Sequence, residues 1–481
     1  MTTEVFHSEI IKVTNTWLRK NEQKIAHGAK VGTPSEFLAY ERGLFMMLIQ
    51  LGTAIIALVL KTRLKDKEFQ KETGKTFMKT HRKRYRHLSN FVTPVRTLFG
   101  NVVKVKTRQY VPKPDGRKCR KGRNGSGVYP ALEALGIKHR VTPALASDIA
   151  WEVTEGPSMA DAVKRLGRKG ITVGIKTVKR VTETVGKMAL KVRDDWLESG
   201  GKGQNPLIPG KETLRGLRVL IGVDGGKYRE RTNKRGRIPK GRKRQGYRTD
   251  WREPKLLVIR AIDDKGNVVR DLSPVYDGTV EGADAIFNLL KAHLQARNIH
   301  EALEIVCVCD GAVWIWERMG KMLLEMGIDS ARVHYAVDYF HAVEHLTAVA
   351  DGKRTWSRKK RTQWLNRMKA LLMDGNIEAV IAELAKLARG RNARTVKREM
   401  LYFETNMERM RYNTLRNKNL PIGSGATESA LRQVVNMRLK GVGKFWLREN
   451  AEMLLHLRCY LKAGRWEAIE NAVFTSGIDR R

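Results

Sequence analysis

Only four cysteines, Cys119, Cys307, Cys309 and Cys459, occur in 481 residues. That is too few for a disulfide framework in a chain of this length, so the chain reads as a protein of a reducing cytoplasm. Acidic residues are short as well: 50 Asp and Glu face 92 Lys and Arg, a formal net charge of +42 at pH 7. The expected partner is therefore a polyanion, nucleic acid ahead of anionic lipid. Low-complexity tracts and short-period repeats are missing, which excludes a repeat array and leaves a globular chain of two to four domains. Long uncharged runs are nearly absent. One stretch, Gly43 to Leu60 (GLFMMLIQLGTAIIALVL), approaches membrane-spanning length. It carries Gln50 and Thr53 and has no basic-headed signal segment before it, so a buried or oligomerising helix is expected and no membrane partner.

What is present falls into six segments. Residues 1–97 read as helical. Residues 98–141 hold the alternating NVVKVKTRQYV, a short strand pair, and the basic loop PKPDGRKCRKGRNGSG. Cys119 stands alone in that loop and cannot build a zinc ribbon. Residues 142–197 carry three short helical patterns. The turn at Gly170 precedes a third helix with Lys176, Thr177, Lys179 and Arg180 on its early turns, the spacing of a helix-turn-helix whose last helix enters a major groove. A helical hairpin without DNA contacts has the same pattern. Glu198 to Glu212 (ESGGKGQNPLIPGKE) reads as a linker.

The period changes in residues 213–355. Strand patterns LRVLIGVDG, PKLLVIRAI and NVVRDLSPVYDG lead to a helix, followed by EIVCVCDG with its helix and VHYAVDYF with another. Three strands, a helix and two strand-helix units match the order of a ribonuclease H-like sheet, an α/β fold. Residues 356–416 read as an all-helical insertion, and residues 417–481 return to the core and end in helices. Cys307 and Cys309 alternate with valines, so both thiols share one face of a strand as core residues.

Two strands end alike: VLIGVDG delivers Asp224 into a glycine turn, and VCVCDG does the same with Asp310. On neighbouring strands these carboxylates would stand side by side at the sheet edge, an arrangement that is costly until a divalent cation joins it. Magnesium takes carboxylate, water and phosphate oxygens, and two such ions roughly 3.5–4 Å apart serve phosphoryl transfer. The third carboxylate is expected from Glu428 in LPIGSGATESALRQVVNMRLKG, on the first turn of a helix opened by the Gly423/Gly425 turn. Each acid taken alone also fits an ordinary polar group at the end of a strand or helix.

VDGG, CDGAVWIW, DYFHAVEHL and GSGATESALRQVVNMRLKG, in this order, resemble the DDE transposases of bacterial insertion sequences, in particular the ISKra and ISLre groups, over roughly residues 215–467. The resemblance implies a ribonuclease H-like core with a helical insertion before the last acid, and a catalytic, metal-binding triad of Asp224, Asp310 and Glu428. It implies two Mg²⁺ ions, replaceable by Mn²⁺, and cleavage and strand transfer at terminal inverted repeats. It further implies double-stranded DNA as partner, a homo-oligomer joining two ends, and a cytoplasmic, nucleoid-associated bacterial protein. The cysteine-rich ribbon common in that family is reduced here to Cys119. Lys227, Arg229, Arg432, Arg438, Lys440 and Lys444 are candidates for backbone phosphate. Trp314, Trp316 and Trp446 are candidates for stacking on a frayed base, with core packing as the other reading.

Two other classes fit parts of the sequence. His341, Glu344 and His345 in HAVEH match H-x-x-E-H, a zinc peptidase pattern. A peptidase gives no reason for the charge or the paired strand-end aspartates, so a helix supporting the core is the preferred reading. A DNA-binding protein with an inactive nuclease fold, such as a repressor or domesticated transposase, and a nuclease or resolvase on the same fold complete the alternatives.

Overall fold

The computed structural model describes residues 3–82, 84–113, 127–201, 205–208, 213–238, 240–243 and 245–475. The chain divides into two units, Met1–Met188 with Glu470–Arg481, and Ala189–Ile469.

The first unit starts with helices α1 (Thr3–Ala26), α2 (Pro34–Lys65) and α3 (Lys67–His81). A reciprocal capping box of Thr33 and Glu36 opens α2, and Pro34 sits in its first turn, where no N–H is needed. Among the described residues, α2 is the one helix long and apolar enough to cross a membrane. Only its Met47, Ile49, Leu60 and Leu64 are buried, while Phe45, Met46 and Leu48 are about half exposed. The helix expected to be buried or oligomerising is thus covered in part: residues 51–58 are half-buried, and Leu60 and Leu64 pack with Val95, Val103 and Val105.

A second departure follows. Strand β1 (Tyr85–Arg96) pairs antiparallel with β2 (Val102–Pro112), although the chain was expected to stay helical to residue 97. Val92, Thr93 and Val95 are stiff β-branched residues, and Pro94 cannot sit inside a helix. Cys119 and most of the basic loop lie outside the described residues, as do residues 202–204 and 209–212 of the expected Glu198–Glu212 linker. After α4 (Pro130–Ala134) come the three helices expected at 142–197: α5 (Pro143–Glu155), α6 (Met159–Arg168) and α7 (Ile175–Glu198). Ser158 caps α6, and Gly170 takes the left-handed turn that follows it, at φ +80°.

The second unit is built on a mixed five-stranded sheet of β3 (Arg218–Gly225), β6 (Lys255–Ile262), β7 (Val275–Thr279), β8 (Glu304–Cys309) and β9 (Val333–Val337), in the order β7-β6-β3-β8-β9. β6 runs antiparallel to both neighbours, whereas β3, β8 and β9 are parallel. The near-continuous apolar runs of β3, β6 and β8 are buried, as the centre of a sheet covered on both faces requires, while Val333, His334 and Tyr335 of the edge strand β9 are half-buried. An unexpected hairpin, β4 (Tyr228–Asn233) with β5 (Tyr247–Arg252), rises between β3 and β6 and forms its own two-stranded sheet.

Helices α8 (Ala283–Ala296), α9 (Val313–Glu325) and α10 (Tyr339–Gly352) follow β7, β8 and β9 in turn. The residues from 356 to 416 are helical as expected, forming α11 (Arg358–Met373), α12 (Ile377–Leu387), α13 (Ala393–Asn406) and α14 (Tyr412–Asn417). Trp364, Met368, Leu372, Val380 and Phe403 from these helices share one core with Val337, Ala342 and Leu346 of β9 and α10. Next, α15 (Gly425–Leu431) runs into a π turn at Arg432–Asn436, and α16 (Arg448–Lys462) and α17 (Trp466–Glu470) close the chain.

Candidate active site

Strand register decides where the acids stand. Ile221 lies opposite Cys307, and Cys309 opposite Val337. Three residues beyond Ile221 is Asp224, and three beyond Cys307 is Asp310; one beyond Cys309 is Asp310, and one beyond Val337 is Asp338. Three aspartates therefore end three adjacent parallel strands at one level. A strand end is where backbone N–H groups lose ladder partners, and each carboxylate accepts one: Asp224 from Gly225 at 2.6 Å, Asp310 from Ala312 at 3.1 Å, Asp338 from His341 at 2.7 Å. The Trp316 indole N–H, bonded to the Asp310 carbonyl at 2.8 Å, holds that turn.

Asp338 carries a second bond, from the Ser424 N–H at 2.5 Å, and is almost fully buried. It thereby ties the start of α15 to the end of β9. On the other side of the site, α15 presses on β3 itself: a Cβ at Gly222 would lie 1.9 Å from the Thr427 Oγ1. Only glycine allows that approach, and the residue after Thr427 is Glu428. As a result Asp224, Asp310, Asp338 and Glu428 all line one cavity of about 310 Å³, together with Cys309, His341, Glu344 and Ser424.

The electrostatics follow from crowding acids in a half-buried place. Burial, with Asp310 and Glu428 nearby, pushes the Asp224 carboxyl up to about 7. Asp310 is also raised, by burial first, against the opposing pull of the Ala312 N–H and His341. Glu253, which follows β5 and pairs with Lys255 at 2.6 Å, adds negative potential at both aspartates. A buried carboxylate pair that resists double ionisation fits a divalent cation, so Asp224 and Asp310 are suited to hold one. Glu428 is exposed and its carboxylate accepts the Ser424 hydroxyl at 3.1 Å. As the side chains stand, no three His, Cys, Asp or Glu among the described residues converge enough to hold a metal ion.

The H-x-x-E-H residues do not share a ligand point. His341 pairs with Glu344 at 3.3 Å, whereas His345 bonds Glu399 of α13 at 2.5 Å and stacks on Tyr402 at 3.7 Å. They line a second cavity of about 520 Å³, which His341 and Glu344 share with the first.

The basic and aromatic candidates divide. In the first unit, Lys176, Lys179 and Arg180 are exposed on the opening turns of α7, with Thr177 half-buried. In the second, Lys227, Arg432 and Lys440 are exposed, and Lys444 is half-buried. Arg438 is buried under the Trp446 ring at 4.9 Å, and burial lowers its pKa to about 10. Trp446 donates to the Leu439 carbonyl and pairs its backbone with β4. Trp314 takes the Lys255 ammonium on its face at 3.9 Å, and Trp316 the Arg409 guanidinium at 4.9 Å. These three rings and Arg438 thus have structural contacts. Asp338 as a site residue, Glu253 and the hairpin were missed. VHYAVDYF repeats the strand-then-aspartate signal of the other two strands, and that signal could have located Asp338. Compared with protein-family models, curated proteins and solved structures, the chain matches none.

Proposed function

We propose that this protein is a metal-dependent DNA-cleaving and strand-transferring enzyme, a DDE transposase on a ribonuclease H-like core with a helical insertion between α10 and α15. One observation carries the reading: Asp224 and Asp310 end adjacent parallel strands in matching register, and Glu428, more than a hundred residues on, reaches their cavity. The strand order β7-β6-β3-β8-β9, with β6 alone running against the other four, supports the fold. The net charge of +42 supports a polyanionic substrate.

Asp224 and Asp310 are the residues that would hold a divalent cation, with Glu428 on the open side of the cavity. When bound, the cation supplies charge neutralisation and polarises the water or 3′-hydroxyl and the leaving oxygen. The chain's own part is positioning. Asp338 and Trp316 fix the backbone of α15 and of the Asp310 turn, and Gly222 sets how closely Glu428 approaches β3. Double-stranded DNA is the proposed substrate, and two ends joined in one complex require more than one copy of the chain.

The test is incubation of the full chain with Mg²⁺ and a duplex carrying the inverted repeats that flank its gene. Wild type is expected to nick the repeat and give strand-transfer products. Asp224→Asn, Asp310→Asn and Glu428→Gln are each expected to lose cleavage while still binding the end. Cleavage that survives any one of them removes that residue from the triad. End binding without cleavage by wild type, in Mg²⁺ or Mn²⁺, replaces the enzyme with the DNA-binding alternative.

A further inference from the structure

The β4–β5 hairpin is long and unusually basic, exposed along most of β5, with Arg229 and Arg231 half-buried on β4. Of the 25 residues from Tyr228 to Arg252, eleven are Lys or Arg and two are Asp or Glu. One face looks inward: Tyr228 is fully buried and donates to Glu230 at 2.7 Å. The other face carries Arg229 and Arg231 on β4 opposite Trp251 and Thr249 on β5, with Tyr247 at the far end. Trp251 is 56% exposed and Tyr247 40%, large values for aromatic side chains in a folded unit.

Those rings hold the arginines. The Arg229 guanidinium lies 5.5 Å from the Trp251 centroid, and that of Arg231 lies 4.4 Å from the Tyr247 centroid. Tyr247 is packed on Phe445 at 4.8 Å as well, so it sits between an aromatic ring and an arginine, and a base has little of its face to stack on. A guanidinium held against a ring loses little further freedom on binding, and its N–H fork matches phosphate oxygens. Residues two apart on a strand are roughly 6.6 Å apart, so Arg229 and Arg231 can address neighbouring phosphates of one strand. The roots of the hairpin stand at the carboxylate cavity, for β4 starts four residues after Asp224, and Glu253 follows β5. The backbone of Trp446 pairs with Arg229 and Arg231, tying β4 to the segment that follows Glu428 and its π turn.

We infer that this hairpin is a phosphate-gripping arm for duplex DNA, in which ring-supported Arg229 and Arg231 hold one strand of the duplex beside the carboxylate cavity. The inference rests on the reading of that cavity as a DNA-processing site, but it concerns grip and not chemistry.

The experiment measures binding of the full chain to a labelled duplex and to a single-stranded oligonucleotide by fluorescence anisotropy, in EDTA, from about 50 to 200 mM salt. Arg229→Gln/Arg231→Gln is expected to weaken duplex binding by tens-fold at about 100 mM salt and to reduce the salt slope by about two, close to one per phosphate lost. Tyr247→Ala/Trp251→Ala is expected to weaken duplex binding less than the arginine pair does. Unchanged duplex affinity and slope in the arginine variant overturn the arm. A ring variant that loses single-strand binding more than duplex binding overturns it in favour of base stacking. Unchanged melting and circular dichroism in both variants are the control for folding, and Arg229→Lys/Arg231→Lys, which keeps the charge, is expected to restore most of the slope. Cleavage with Mg²⁺ is assayed in parallel. Cleavage by wild type with unchanged binding in the arginine variant sinks the arm alone, lost binding without wild-type cleavage sinks the enzyme reading alone, and no duplex binding by wild type sinks both.

Discussion

Gly222→Ala is the sharpest probe of how the site is assembled. Its Cβ would meet the Thr427 side chain at 1.9 Å (Oγ1), 3.1 Å (Cβ) and 3.2 Å (Cγ2). The hydroxyl alone could rotate away, but two carbons at 3.1 and 3.2 Å require Thr427 to give by a few tenths of an ångström, and its side chain is buried against the strand. Helix α15 must therefore lift from β3. Overpacking of this kind costs typically about 1–3 kcal/mol, so local opening of the β3–α15 contact should become roughly 5- to 150-fold easier. Amide hydrogen exchange on peptides covering residues 217–226 and 424–436 of the full chain reads that directly. A displacement of about 1 Å at Glu428 would also cost on the order of a hundredfold in cleavage rate. Thr427→Ala removes Oγ1 and Cγ2, so Gly222→Ala/Thr427→Ala should recover part of both losses. A Gly222→Ala protein with wild-type exchange, or a double variant no better than the single, would refute the claim that this contact seats the third acid.

Three further outcomes follow from the same geometry. Asp224 is raised in the folded chain from 3.8 to about 7, so the folded state keeps a proton that the unfolded chain releases; its contribution is full below about 3.8 and is lost as pH rises through about 7. Without metal, Asp224→Asn should therefore melt higher than wild type at pH 8 and gain less at pH 5, and Mg²⁺ should remove the gain at pH 8; an equal shift at both pH values refutes this. Asp277 is fully buried between His293 at 3.0 Å, Arg193 at 3.5 Å and His456 at 3.5 Å, so Asp277→Ala strands His293 without its acceptor while Arg193 keeps Glu452 at 2.9 Å, and should cost about 1–3 kcal/mol in unfolding free energy; a loss below about 1 kcal/mol would show the cluster carries little. Metal analysis of the purified protein should find well under one zinc per chain, unchanged by His341→Ala; stoichiometric zinc lost in that variant would bring back the peptidase reading.

Much of the site was legible because its signals are local. An apolar run ending in Asp-Gly marks β3 and β8 wherever they sit in space, and the Ser-Gly-x-Thr-Glu turn marks the start of α15. Other features carried no such mark. Arg438 looks like an exposed cation in sequence, yet it is buried beneath Trp446, because the segment between the π turn and α16 folds back onto β4. The hairpin was hidden because its tip is a charged, glycine-containing stretch that locally resembles any basic loop.

Periodicity by itself determined the change from helical to strand-rich chain near residue 213 and the two aspartates at strand ends, since each depends on residues within one turn or one strand of each other. The tertiary structure alone decided that these strands are neighbours in matching register, that Asp338 completes the row, that Gly222 lies beneath Thr427, and that α2 is only partly covered. Such facts join residues as far apart as Gly222 and Thr427 through steric fit and hydrogen-bond pairing, which no local pattern encodes.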